Sequence, residues 1–189
     1  ELIDLNTCIT KELYKKFVND FEQTSDFKNR KEIVKFLEKY RTAFLVRDIQ
    51  TVRDIFADEA LIIVGRRVRR KVVPEEHVKY IRFGEQPDYE YLKLGKKEFL
   101  NRQERVFRQQ QDISLEFSTF DIIKKDDTSK VYGVAMRQSY ASTTYADEGH
   151  LFLLIDFDEQ DPLIYVRAWQ PNVWSQQQKI DAANFKIYQ

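Results

Sequence analysis

The sequence predicts an α+β fold in which helices pack on an antiparallel sheet. Helical patterns fill much of the first half of the chain, and consecutive strand patterns joined by short turns dominate the last third. Helices followed by hairpin strands are typical of α+β folds, whereas α/β folds alternate the two. The 14 Phe and 10 Tyr also favour a sheet-rich interior, because aromatic side chains suit a half-buried pleated surface.

Three segments carry apolar residues at helical spacing. The first helix is expected to begin near Asn29, because Asn29 and Glu32 fit a capping-box pattern. A short second helix follows Asp48, which is a favourable N-cap residue, and it is expected to close at residues 57–59. The third predicted helix spans residues 96–110.

Five segments have the character of β-strands. The first, residues 60–64, is short and apolar, and residues 66–95 after it are interpreted as loops with short helical or strand pieces. In the next strand the alternation of apolar residues slips at Phe120, which predicts a β-bulge, and bulges help a sheet to curve. The last four predicted strands follow one another at residues 113–124, 131–141, 149–157 and 163–170.

The chain of 189 residues is the size of one ample domain with appended segments. We expect the domain itself to span residues 29–171. Residues 1–28 are expected to form an N-terminal helical extension or linker, with the polar stretch 23–26 as its linking part. Residues 172–189 are expected to form a polar C-terminal tail.

The composition argues against several classes of function. The 31 basic and 31 acidic side chains cancel, so no nucleic-acid partner is expected. The longest apolar stretches, such as residues 151–155, are far shorter than the roughly 20 residues of a membrane-spanning helix. No cofactor is expected, because the chain has no Gly-rich phosphate loop. With a single Cys and only His77 and His150, no metal site is expected either.

Two stretches resemble the nuclear transport factor 2-like superfamily, which includes SnoaL-like and ketosteroid-isomerase-like proteins. Residues 40–63, with the sequence Phe-Ala-Asp-Glu-Ala at 56–60, resemble its opening long helix, short helix and first strand. Residues 148–154 and 166–171 resemble its last two strands. The resemblance covers residues 30–171. It implies a strongly curved, cone-shaped sheet, with helices on one side and room for a small-molecule ligand inside the cone.

The same segment also resembles a domain of exported, often lipid-anchored proteins of Bacteroides-type bacteria. This narrower resemblance implies a periplasmic or cell-envelope location, with the cytoplasm as the alternative. The function expected from it is a non-catalytic ligand- or protein-binding domain of a cell-envelope protein. The alternative is a small SnoaL-like or ketosteroid-isomerase-like enzyme that acts on an apolar small molecule.

The enzyme alternative requires an Asp base and a Tyr or protonated acid in a dry pocket. The chain offers these residue types, but none matches the catalytic positions by motif, so the catalytic residues stay unknown. The other interpretation is that the tyrosines are core or rim aromatics. The candidates are Tyr40, Tyr132, Tyr140, Tyr145 and Asp147.

Arg137 and Arg167 lie in strands that are otherwise rich in apolar residues, and a buried Arg needs an anionic partner. Three interpretations are open: a pocket for a carboxylate or phosphate with Trp169 as a stacking wall, an internal ion pair, or a contact between subunits. The predicted ligand-binding set is therefore Tyr40, Arg137, Asp147, Arg167 and Trp169.

The subunit interpretation rests on the alternation of the last strand. Tyr165, Arg167 and Trp169 share one face by two-residue alternation, and these residue types are enriched at interfaces. We interpret this face as the outer one and expect a homodimer through it, with cover by the tail or by residues 1–28 as the alternative. The basic cluster at residues 66–71 is interpreted as a solvated loop, with nucleic-acid or membrane-surface binding as the other interpretation.

Overall fold

A computed structural model describes residues 24–67, 89–124, 130–158 and 161–171, and these contain three helices and six strands. The N-terminal segment before residue 24, the tail after residue 171, His77 and residues 69–71 of the basic cluster lie outside the described residues. The elements, in chain order, are α1 (Thr24–Leu45), α2 (Ile49–Asp54), β1 (Phe56–Arg67), β2 (Tyr89–Gly95), α3 (Lys96–Gln109), β3 (Ser114–Lys124), β4 (Val131–Ala141), β5 (Ala146–Asp156) and β6 (Leu163–Pro171).

The six strands form one curved, unclosed sheet in the order β2-β1-β6-β5-β4-β3. The α+β class and the curvature are as predicted. The sheet is mixed rather than antiparallel, because β1 and β6 pair in parallel, with Ile62 opposite Arg167. Hairpin order predicts only antiparallel neighbours, whereas these two strands come from opposite ends of the domain.

The predicted bulge is present in β3. The pairing of β3 with β4 shifts register between Ser118 and Asp121, and Thr119 has a φ of 53°. An extra residue on one strand bends that strand and increases the local twist. The bulge predicted from the slip in alternation at Phe120 is therefore confirmed, and it helps the sheet to curve.

Two helix boundaries differ from the predictions. Helix α1 begins at Thr24, so Asn29 lies inside the helix and does not cap it, and the predicted linker is helical from Thr24 onwards. Ser, Thr and Asp are as common in first turns as in linkers, so composition could not separate the two. The second helix ends at Asp54 and strand β1 already starts at Phe56, because Phe56 pairs with Ile164 of β6.

The N-cap prediction for the second helix is confirmed. Both backbone N–H groups of Gln50 and Thr51 donate to Asp48 Oδ1 at 3.0 Å. The third helix is also confirmed and ends one residue earlier than predicted. In the region interpreted as loops, β1 continues through Arg67 and β2 begins at Tyr89.

The sheet is apolar on both faces. The helices pack on the concave face, where Trp169 belongs to the same buried cluster as Tyr40, Phe44 and Phe99. The outer face carries a second buried group, which we call the outer-face group: Ile63, Ala135, Phe152, Val166 and Ala168. The prediction that Arg167 and Trp169 form the outer face is therefore wrong. Alternation had separated the two faces correctly but could not say which one met the helices.

Candidate functional site

A cleft of about 400 Å³ opens between the concave face of the sheet and helices α1 and α3. Its wall combines apolar side chains such as Phe44, Val106 and Leu115 with a group of polar ones contributed by β4, β5, β6 and the turn between β4 and β5. The polar residues that line it include Gln138, Tyr140, Tyr145, Asp147, Arg167 and Trp169.

The structure brings together four of the five predicted ligand-binding residues. Asp147, Arg167 and Trp169 line the cleft, and Tyr40 contacts Arg167 from helix α1. Arg137 lies apart from them. Its neighbour Gln138 lines the cleft, so Arg137 points to the outer face, where its Nη2 pairs with Glu148 at 2.7 Å and about half of its side chain is exposed.

Arg167 is buried, with only 7% of its surface exposed. Its Nε donates to the Tyr40 hydroxyl at 3.0 Å, and its guanidinium carbon lies 5.4 Å from the centre of the Phe99 ring. An Arg within about 6 Å of an aromatic face gains a cation–π attraction. Tyr40 and Phe99 thus fix the guanidinium from the helix side. Its remaining N–H donors are available to a ligand in the cleft.

Asp147 is the acid of the cleft. Its Oδ2 accepts a hydrogen bond from the Tyr145 hydroxyl at 2.7 Å, while its buried Oδ1 has no hydrogen-bond partner among the residues that the structure describes. Burial raises the pKa of Asp147 above its ordinary value of 3.8, and the Tyr145 hydrogen bond and the charge of Arg167 only partly oppose this. A carboxyl in such surroundings is poised to exchange protons closer to neutrality than a surface carboxyl.

Two further polar atoms of the cleft wall, the Tyr140 hydroxyl and the Trp169 indole Nε1, are buried and accept or donate no hydrogen bond within the described part of the chain. Burial raises the pKa of Tyr140, and the nearby Asp147 carboxylate adds to this, although Ser142 lies close enough to oppose it in part. Burial also raises the pKa of Tyr145, together with its hydrogen bond to Asp147. The cleft therefore holds two neutral tyrosines beside one acid.

The fold was compared with known proteins. No family model and no curated protein matches the chain. Solved structures do match, including Bd1075 of Bdellovibrio bacteriovorus, at 16% identity and a TM-score of 0.57 over 81% of this chain. A candidate dehydratase of the NTF2-like family from Streptomyces avermitilis matches at 8% identity and a TM-score of 0.55, covering 77% of this chain and 98% of that one.

A third match is an NTF2-like protein of unknown function from Pseudomonas putida, at 12% identity and a TM-score of 0.51, covering 80% of this chain and 93% of that one. The chain has the nuclear transport factor 2-like fold. This confirms the fold expected from the resemblance at residues 40–63 and 148–171. The chain corresponds to 44% of the length of Bd1075, and at these identities the likeness concerns the fold alone.

Nuclear transport factor 2-like structures include candidate enzymes and proteins of unknown function, so the fold does not choose between the two. What the cleft can bind therefore depends on the polar groups of its wall. Two features of the described residues hold these groups in place.

The first feature is a glycine behind Trp169. A Cβ added to Gly149 would lie 2.9 Å from two carbons of the Trp169 ring and would collide with the Gln170 carbonyl oxygen. The indole therefore lies directly against the backbone of β5. No motif marks this role, but the pairing of β5 with β6 places Gly149 next to the end of β6.

The second feature is the anchoring of the turn that carries Tyr145. The Gln110 side chain, just after α3, donates to Thr144 Oγ1 at 3.0 Å, and its own oxygen accepts from the Thr144 backbone at 3.3 Å. The Thr143 hydroxyl accepts from the backbone N–H of Gln111 at 3.3 Å. These bonds fasten the β4–β5 turn to the end of α3 at the edge of the cleft.

Sequence reasoning missed Gln110 and Gln138 as part of the site. Gln138 is a buried polar residue in an apolar strand, on the same face as Tyr140. That alternation was a usable signal. Gln110 had no such signal, because its contact with Thr144 spans 34 residues and depends on the tertiary fold.

Of the other residues singled out, His150 lies in β5 opposite Arg137 and away from the cleft. Among the described residues, no group of three or more His, Cys, Asp or Glu is placed to hold a metal ion. No helix in the described ranges is long and apolar enough to cross a membrane.

Proposed function

We propose that this domain binds a small organic molecule in the cleft between the sheet and helices α1 and α3. One observation carries the proposal: two buried polar atoms of one wall, Asp147 Oδ1 and Trp169 Nε1, lack hydrogen-bond partners among the described residues, and the Tyr140 hydroxyl beside them has only Ser142 near it. Each such atom costs about 1–3 kcal/mol of stability when it stays unpaired. A ligand that supplies the missing partners, after a small shift of these side chains towards the cleft, recovers this free energy on binding.

The shape and lining of the cleft support a ligand with an apolar body. A volume of about 400 Å³ falls within the range of small-molecule sites, which are mostly apolar with a few placed polar groups. Phe44, Val106 and Leu115 supply the apolar part. The polar atoms named above would then fix the orientation of the ligand.

A ligand screen tests this proposal. Compounds of mixed charge and polarity are screened by thermal denaturation, and the hits are titrated against the wild-type protein, Tyr140→Phe and Trp169→Phe. We expect about tenfold weaker binding for each variant, the equivalent of one lost hydrogen bond of about 1.4 kcal/mol. Tyr91→Phe, on the opposite face of the sheet, is the matched control and should bind normally. Hits that bind both cleft variants as tightly as the wild type would contradict the proposal.

A catalytic role is the second candidate, and Asp147 favours it. An acid with a raised pKa beside two tyrosines, at the wall of a partly apolar cleft, is a usual arrangement for general acid–base chemistry. Asp147→Asn should then abolish turnover of a hit while leaving its binding within a few-fold of the wild type. If no hit is turned over, the domain is a binding module.

The proposal also includes a place in the cell envelope, supported by the resemblance to exported domains. Fractionation of cells that express the full-length gene measures this, and recovery in the cytoplasm alone would refute it. We further propose a homodimer through the outer face of the sheet, where the partly buried Leu61 and Leu154 and the exposed Tyr91 adjoin the buried outer-face group. Sedimentation of the purified domain tests it, and a monomer at millimolar concentration would exclude the dimer.

A further inference from the structure

Arg167 is a buried cation without a partner anion in the part of the chain that the structure describes. It is 93% buried, and none of the described carboxylates lies within the 4.0 Å of a salt bridge. Its single hydrogen bond to a described residue is the one from Nε to Tyr40. The two terminal nitrogens, Nη1 and Nη2, carry four N–H donors that no described side chain or carbonyl accepts.

A buried charge is stable only when a partner or a set of hydrogen bonds compensates it. The Phe99 ring covers one side of the guanidinium and the Tyr40 hydroxyl bonds to Nε, but neither carries a negative charge. Asp147 is close enough to interact with Arg167 through space, but it forms no salt bridge with Arg167 and its Oδ2 is engaged with the Tyr145 hydroxyl. Within the part of the chain that the structure describes, the charge of Arg167 therefore has no direct partner anion at the wall of the cleft.

We propose that Arg167 is an anion subsite, and that the ligand of the cleft is a small monocarboxylic acid with an apolar body. The inference rests on the proposed function, because the acid occupies the same cleft. The planar fork formed by Nη1 and Nη2 matches the two oxygens of a carboxylate, which accept two parallel hydrogen bonds. Tyr40 and Phe99 hold the fork in position before the ligand arrives, so little ordering is required on binding.

The charge balance of the cleft favours a ligand with one negative charge over a ligand with two. Arg167 is the sole cation among the described residues that line the cleft, and Asp147 lies beside it as an acid. A phosphate dianion would face one compensating charge and a neighbouring carboxyl. A carboxylate is compensated by Arg167 alone, and its apolar remainder can contact Phe44, Leu115 and the Trp169 ring.

The chain contains a built-in reporter for this experiment. It has two tryptophans, and the indole N–H of Trp169 lies in the cleft wall without a hydrogen-bond partner among the described residues. The two indole signals in a ¹H–¹⁵N spectrum of the whole chain are assigned with Trp169→Phe. The probes are benzoate and benzamide, which share size and shape and differ in charge.

We expect benzoate to shift the Trp169 indole signal in a saturable manner and to bind at least about tenfold more tightly than benzamide. Arg167→Gln should weaken the binding of benzoate at least about tenfold and remove its preference over benzamide. Arg167→Lys keeps the charge without the fork and should give an intermediate affinity. Arg137→Gln removes an exposed arginine of the outer face and should change nothing.

Equal binding of benzoate and benzamide to the wild-type protein would overturn the anion subsite, and this comparison requires no variant to fold. A preference for benzoate that survives in folded Arg167→Gln would overturn it as well. If neither probe shifts the Trp169 signal while hits of the ligand screen do, the anion subsite fails and the proposed function stands. If the screen also yields no ligand that depends on Tyr140 or Trp169, the proposed function fails too.

Discussion

The Nε atom of Arg167 donates a hydrogen bond of 3.0 Å to the hydroxyl oxygen of Tyr40, and both residues are buried. The two residues are 127 positions apart in the sequence. The bond joins the C-terminal part of helix α1 to the strand β6 that lies between β1 and β5. It therefore links the packing of the helix on the sheet to the orientation of the one cation in the described cleft wall.

The first prediction concerns this bond. Tyr40→Phe removes the acceptor of a buried charged donor, and we expect the free energy of unfolding to fall by about 1.5–3 kcal/mol. Urea denaturation measures the loss. Tyr91→Phe is the control, because Tyr91 is 43% exposed and its hydroxyl accepts a weaker bond from Gln170 at 3.3 Å. Equal losses in the two variants would show that the Tyr40 hydroxyl contributes little to holding Arg167.

The second prediction concerns the dependence of stability on pH. The pKa of Asp147 is raised in the folded state, so between pH 3.8 and that raised value the folded chain holds more protons than the unfolded one. Stability from this group is then highest at low pH and falls as the pH rises through the window. Asp147→Asn should therefore have a higher melting temperature than the wild type at neutral pH, and the two should converge at low pH.

The charged and titratable groups that face Asp147 are Tyr140, Tyr145 and Arg167, and none of them changes charge between pH 4 and 8 in an ordinary environment. Asp58→Asn is a control of opposite sign. Its hydrogen bond with Lys96 lowers the pKa of Asp58, so that carboxylate stabilises the fold at neutral pH and loses its contribution in acid. A melting temperature of Asp147→Asn below that of the wild type at pH 7 would refute the assignment.

The elements that the sequence predicted well were those with strong local signals. The strand predicted at residues 131–141 has the bounds of β4, the Asp48 cap located α2, and the slip at Phe120 marked the bulge. The predictions were wrong where contacts between residues distant in the sequence determine strand pairing or a strand boundary. The parallel pairing of β1 with β6 and the early start of β1 at Phe56 both depend on a strand more than 100 residues later.

The sequence predicted which residue types could form the site, but it did not predict which of these residues lie together in the fold. Asp147, Arg167 and Trp169 were identified because charged and aromatic residues in apolar strands are unusual, and the structure groups them in one cleft. Arg137 met the same criterion but lies on the other face beside Glu148. Alternation separates the faces of a strand, whereas only packing shows which face meets the helices.

The third prediction concerns the glycine behind Trp169. Gly149→Ala places a methyl group against the Trp169 ring and the Gln170 backbone, and overpacking of this kind costs about 1–3 kcal/mol of stability. We also expect the variant to bind cleft ligands more weakly, because the indole has to move. Gly95→Ala is the matched control, since its new methyl group would contact nothing within 4 Å and its φ of −83° suits alanine. Similar unfolding free energies for the two variants would contradict this account.

The fourth prediction concerns the corner between α1 and α2, on which the position of Tyr40 and Phe44 depends. The N–H of Asp48 donates to the Ala43 carbonyl at 2.8 Å and the N–H of Arg47 to the Phe44 carbonyl at 3.2 Å, which is the pattern of a Schellman motif. Arg47 occupies the left-handed position of the motif, with a φ of 58°. A glycine is favoured there, because a Cβ in this conformation costs about 1–2 kcal/mol.

Arg47→Gly should therefore be more stable than Arg47→Ala by about 1 kcal/mol. Both variants lose the hydrogen bond from Arg47 Nη1 to the Gln110 carbonyl, so their difference reports the backbone alone. The same pair of substitutions at Val46, an exposed position without a positive φ, should give the reverse order, because glycine is costlier than alanine at the end of a helix. Denaturant unfolding of the four variants measures both differences. If alanine is as good as glycine at position 47, the left-handed conformation does not determine this corner.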